Sequence, residues 1–409
     1  MRPPSQAAPG APAPRRSPLR LSPVVIVVLV AANLRVVITS LSPLLGTVSR
    51  AEHLSSLSVS ALAAMPMLCF GLAAPLAVPL SRRVGLERAF VLAMLALAAG
   101  MVVRVGAAPA LLLAGTALAS CGVAVANILV PVYIKQTGGS RAGLLTGMNV
   151  ATMGAVAAVA AVASPALSSL LGGWRAALGV WSLPALLAAG AVAARVGGPV
   201  DAVELAPAIR PGWRQLSRWT DIIVLTASQS VIYYSMLAWL PSVFEARGAS
   251  VGHAGSLLSV FSFVSVPVSL MVPPLVARTD RRWLVVLAVT ALTATGLFGL
   301  IFAPLTLPYL WVSLLGLGQG GTFACVMVMF ILRARTPEET VQLSLSAQMS
   351  GFLVATVGPF VLGEVHALTA GWKLPLIMLA GVLITQLVSG CHAGRAGRGE
   401  PSPGTSQLP

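Results

Sequence analysis

One charged residue stands inside an otherwise uncharged apolar run. Arg35 lies between Leu21 and Leu45 with no acidic residue in that segment. A charge at the centre of a membrane span costs at least about 2.5–3.5 kcal/mol, so it must face a partner or a wet cavity. Thr39 and Ser42 follow at i+4 and i+7, which makes one helix face polar. A guanidinium is always charged, and its fork matches planar anions. The chemistry expected is recognition of an anionic or strongly dipolar group along a substrate path. The competing role is a structural arginine bonded to helix carbonyls.

The neutral part of a ligand needs weaker polar contacts. Asn33 and Thr39 flank Arg35, and Gln229, Tyr233 and Trp239 occupy the matching run of the second half. Tyr233 follows Arg35 by 198 positions, the offset at which other matches recur. It is therefore expected across a pseudo-twofold axis from Arg35. Asn127 and Asn149 are polar side chains in two further apolar runs, as are Gln319 and Gln348. We take Arg35, Asn33, Thr39, Tyr233, Gln229, Asn127 and Asn149 as candidate substrate-binding residues. Interhelical hydrogen bonding explains the amides equally well.

Several chemistries find no residues. There is no Gly-rich phosphate loop followed by Lys. His53, His253, His366 and His392 lie in loops or at run ends, and Cys69, Cys121, Cys325 and Cys391 lack ligand spacing. No metal, cofactor or Ser-His-Asp set is expected, and the chain does not read as an enzyme. Nor is an acidic residue found in mid-run. Glu245, Glu364 and Asp221 sit near run ends, so a carboxylate relay at mid-membrane is not expected.

The elements that must position these residues are helices in lipid. Of 409 residues, 57% are hydrophobic and 9% charged, whereas soluble domains carry about 25% charged residues. A net charge of +15 could point to nucleic acid, but the basic residues are scattered in short breaks between apolar runs, which excludes that partner. Twelve runs are long enough to span a bilayer, at 23–46, 58–80, 86–106, 108–133, 142–170, 174–194, 220–244, 252–276, 283–303, 306–332, 341–364 and 373–391. With both termini cytoplasmic, twenty of the 26 Lys and Arg residues fall inside and five outside: Arg50, Arg104, Arg175, Arg247 and Lys373. A multi-pass protein of the inner or plasma membrane follows. Gly173-Trp174-Arg175 recurs as Gly371-Trp372-Lys373, and Pro75, Arg83 and Gly122 recur as Pro273, Arg281 and Gly320, all at one offset. We therefore expect an all-α chain of two pseudo-symmetric six-helix bundles, 21–195 and 219–392. A cytoplasmic loop at 196–218 joins them, with disordered tails at 1–20 and 393–409.

Residues 33–44, Asn-Leu-Arg-Val-Val-Ile-Thr-Ser-Leu-Ser-Pro-Leu, resemble the first span of the cyanate and 2-nitroimidazole transporter branch of the major facilitator superfamily. Ala63-Ala64-Met65-Pro66 and Pro131-Val132-Tyr133-Ile134-Lys135 resemble its second span and the end of its fourth. The superfamily's loop pattern between spans two and three is degraded here. Arg83, Gly85 and Arg88 fit, while Val78 and Arg82 replace Gly and Asp. The resemblance implies a secondary transporter of a small anionic or polar solute, a cyanate-like anion or a nitroimidazole-like heterocycle, working by alternating access as a monomer, with a coupling proton or ion as a further partner. Drug efflux is the alternative, against which the aromatic content of 6% argues. A non-transporting membrane receptor is the remaining one, and it would carry a soluble output domain.

Overall fold

The computed structural model describes residues 22–138, 141–195, 213–334 and 336–395. The expected tail at 1–20 and the greater part of those at 196–218 and 393–409 lie outside the described residues. Where the described part begins again after the central connection, the chain forms a short helix, Trp213–Arg218, in place of the expected loop.

Among the described residues all regular structure is helical, and twelve helices are long and apolar enough to cross a membrane. We label these spans α1 (Pro23–Ala51), α2 (Ser56–Val84), α3 (Leu86–Val103), α4 (Pro109–Thr137), α5 (Gly143–Leu170), α6 (Trp174–Ala193), α7 (Thr220–Glu245), α8 (Val251–Arg278), α9 (Arg282–Phe302), α10 (Pro308–Arg333), α11 (Gln342–Thr369) and α12 (Lys373–Arg395). In a bilayer the backbone groups must be satisfied within the chain, which helices do internally. Polar caps start several spans: Ser55 accepts from Ser58 N at 3.2 Å and Ser250 from His253 N at 3.2 Å. Large apolar side chains such as Leu72, Leu187, Phe263, Met271 and Ile384 remain exposed, as expected of surfaces that meet lipid.

The packing repeats with a shift of six spans. α3 lies on α4 as α9 lies on α10, α3 on α6 as α9 on α12, and α1 on α6 as α7 on α12. Each set is a six-helix bundle, and α2–α11 and α5–α8 make long contacts between the two. Backbones approach closely inside each bundle. A Cβ added to Gly122 of α4 would lie 2.4 Å from Ala93 O of α3, and one on Gly318 of α10 would lie 2.6 Å from Val289 O of α9. Gly320, the sequence match of Gly122, instead meets Ser265 of α8. The two bundles are thus equivalent in architecture, while their helix registers differ slightly.

The first span departs from the continuous helix expected over 23–46. It is helical at Pro23–Ala31, turns through 32–35, resumes at Val36–Thr39, tightens into a 3-10 turn at Ser42–Leu44 and ends as Leu45–Ala51. Asn33 is a poor helix former, and Pro43 lacks an amide proton.

Candidate substrate site

Side chains bond backbone carbonyls along the broken stretch of α1. Arg35 O and Val36 O also accept backbone amides, whereas Leu41 N turns to Ile38 O and leaves Val37 O to a side chain. Thr39 Oγ1 donates to Arg35 O at 3.0 Å, and Ser40 Oγ donates to Val36 O at 2.6 Å. Arg104, at the end of α3, donates to Val37 O at 3.2 Å and to Ser40 Oγ at 3.1 Å. The sequence places Arg104 in an outer loop, yet it is fully buried. It is the structural arginine of this region, because its guanidinium holds the carbonyl that the broken helix releases.

Arg35 has no such bonds. Its guanidinium makes no hydrogen bond and no ion pair with the described residues, and its Nε is enclosed without a partner. It sits 4.7 Å above the centre of the Tyr233 ring, a cation–π contact between the two bundles. Tyr233 packs edge-on against Tyr234 at 5.2 Å and tilted against Phe261 of α8 at 5.5 Å. Tyr234 meets Phe352 of α11 at 5.9 Å, and both meet Phe70 of α2, at 6.5 and 5.6 Å. Five rings from four spans therefore gather beside one unpaired guanidinium.

The other candidates divide. Gln229 precedes Tyr233 by one helical turn and shares its face. It is buried, and its amide bonds to no described residue. Asn127 of α4 is half-buried and likewise has no side-chain bond to a described residue. Asn149 of α5 donates to Met153 Sδ at 3.6 Å, while its Oδ1 is enclosed without a donor. Asn33 and Thr39 differ from the expectation of ligand contact. The Asn33 amide donates to Leu29 O at 2.8 Å and to Pro184 O of α6 at 3.3 Å, which pins α1 to its neighbour. The Thr39 hydroxyl closes the turn below Arg35 and is fully buried. Gln319 bonds Thr293 and Gln386, each at 3.4 Å, inside the second bundle, and Gln348 bonds Ser344 at 2.8 Å. Gln319 is thus a packing amide between spans, while the Gln348 bond stays within α11.

Phe70, Tyr234, Phe261 and Phe352 were not legible as site residues. The low aromatic content argued against an aromatic surface, but the few rings available are concentrated at one place. A void lined by Val37, Ile38, Leu41, Ser42, Leu62, Pro66 and Ala238 adjoins the break and holds only about 10 Å³, too little for a solute.

A profile of the Major Facilitator Superfamily matches residues 25–359. The chain belongs to that superfamily. It is 31% identical over 372 residues to the 2-nitroimidazole transporter of Escherichia coli (strain K12), covering 90% of this chain and 94% of the relative. It is 28% identical over 370 residues to the cyanate transport protein CynX of the same organism, covering 88% and 95%. A solved D-xylose-proton symporter has the same fold, with a TM-score of 0.71 at 15% identity over 92% of this chain and 96% of that one. The protein is thus a multi-pass transporter of the major facilitator superfamily, similar to the cyanate and nitroimidazole branch.

Proposed function

We propose that this transporter moves a small anionic or polar solute, of the cyanate or nitroimidazole kind, by secondary active alternating access. Both termini are cytoplasmic in this reading, as the basic-residue bias requires. The observation that carries it is the unpaired Arg35 guanidinium over Tyr233, at the junction of the two bundles. An uncompensated charge there is costly to the fold, and a ligand anion or dipole offsets that cost. Gln229, Asn127 and Asn149 have amide groups left over for the neutral part of the solute. The relatives support the same class, since one is a cyanate transport protein and the other a 2-nitroimidazole transporter.

Drug efflux is favoured by one observation, the five rings beside Arg35. A transport screen in reconstituted vesicles separates the readings. Cyanate, nitrate, small carboxylates, nitroimidazoles and a bulky aromatic cation are offered with and without a pH gradient. Saturable transport of a small anion or heterocycle is expected. Transport of the bulky cation alone would overturn the reading.

A further inference from the structure

The acidic residues whose side chains the structure describes fall into three groups. Glu52, Glu87, Asp221 and Glu339 are each in an ion pair, with Arg175, Arg195, Arg333 and Arg218, and Asp280 is exposed in a loop. Glu245 and Glu364 are different. Neither has an ion pair, and each has its Oε1 enclosed without a hydrogen bond. Both stand at the end of the bundles away from Pro23 and Arg395.

Glu245, the last residue of α7, lies on the seam between the bundles. Its Oε2 is 3.1 Å from where a Cβ on Gly46 of α1 would stand, so a side chain at position 46 would crowd the carboxylate. The seam is tight nearby as well. Ser42 Oγ of α1 donates to Ala238 O of α7 at 2.7 Å. A Cβ added to Gly363 of α11 would lie 2.3 Å from Ser60 Oγ of α2, and one on Gly255 of α8 would lie 2.6 Å from Ala161 O of α5. Three pairs of spans from opposite bundles are thus closed at this end, and alternating access requires them to part.

No titratable or charged group on the elements at this end of the bundles gives Glu245 a fixed donor. Arg50 on α1 supplies the facing positive charge but forms no ion pair with it. Arg247, two residues further along its own chain, has its Nη1 enclosed and unbonded. On α11, Glu364 Oε1 and His366 Nδ1 are enclosed and unbonded, with His366 stacked on Trp372 at 4.1 Å. His253 on α8 is turned to the Tyr309 hydroxyl at 3.4 Å, and Lys373 of α12 lies over Phe302.

A half-enclosed carboxylate that lacks a donor is penalised when ionised and much less when neutral. We infer that Glu245 is a proton-binding residue of the transport cycle: the seam between α1 and α7 closes with Glu245 protonated and opens when it ionises into water. The sign follows from the geometry. The closed seam encloses the carboxyl, so acid on this face favours closure, and alkali favours opening. The inference rests on the alternating-access reading, but its test needs no solute.

Spin labels at Leu57 on α2 and Leu368 on α11, exposed at 56% and 84%, report the seam by pulsed dipolar distance measurement. The protein is the full chain with its four cysteines replaced, held in phosphatidylethanolamine–phosphatidylglycerol nanodiscs. Between pH 5 and pH 9 the separated population should rise roughly tenfold, the factor that one unit of differential proton affinity supplies. Glu245→Gln should hold the short distance at every pH, and Glu364→Gln should titrate as the parent does. The inference is overturned if the parent shows no pH response, if Glu245→Gln titrates like the parent, or if Glu364→Gln alone abolishes the response. Failure of every solute in the transport screen would instead strike the proposed function and leave this result standing.

Discussion

Replacing Arg35 by alanine separates a ligand contact from a fold contact. In the structure the guanidinium has no hydrogen bond or ion pair with the described residues, and it sits over the Tyr233 ring at 4.7 Å. That contact is worth about 0.5–2 kcal/mol. Set against it is the cost of a partly buried charge without a counter-ion, which amounts to several kcal/mol before relaxation. Thermal stability of Arg35→Ala should therefore be unchanged or raised. Ligand binding should move the other way. One charge-assisted hydrogen bond contributes roughly 1.5–3 kcal/mol, so affinity should fall by about one to two orders of magnitude. Arg35→Lys keeps the charge and loses the fork, so it should also bind weakly. The assay is equilibrium binding of whichever solute the screen identifies, beside a thermal melt of the same preparation. Parent-like affinity in Arg35→Ala would refute the reasoning, and so would a large drop in melting temperature with affinity intact.

Tyr233 should divide by substitution. Its hydroxyl is enclosed without a partner, so Tyr233→Phe should leave affinity within about threefold and melt no lower than the parent. Tyr233→Leu removes the ring under Arg35 and should cost about 0.5–2 kcal/mol of binding, read by the same titration. Arg104→Met leaves Val37 O and Ser40 Oγ without their donor. It should lower stability by about 1.5–3 kcal/mol in denaturant titration, with affinity of the folded fraction unchanged. Reporter fusions after Gly197 and Gly399 should both read as cytoplasmic, and an external reading at either would break the twelve-span topology.

What could be read from the sequence alone was set by lipid acting as a solvent. A bilayer demands about 20 apolar residues per helix and keeps lysine and arginine on one side. Span number and the oddity of Arg35 are therefore written along the chain within local windows, and the duplication shows as matches at one offset. The pairing of Arg35 with Tyr233 also followed, because a shared offset carries one position onto the other. Local pattern did not reveal how the side chains were spent. Asn33 and Arg35 are two residues apart, yet one pins α1 to Pro184 while the other is left unpaired. Arg104 counted as one more loop charge until packing drove it into the break of α1. Phe70, Tyr234, Phe261 and Phe352 carry no common spacing, and Glu245 is an ordinary span-end acid in one dimension. Their roles arise where separate helices cross at the junction of two bundles. The crossing depends on register and close backbone approach between segments up to several hundred residues apart, and hydropathy, which records only the preference for lipid, holds no information about it.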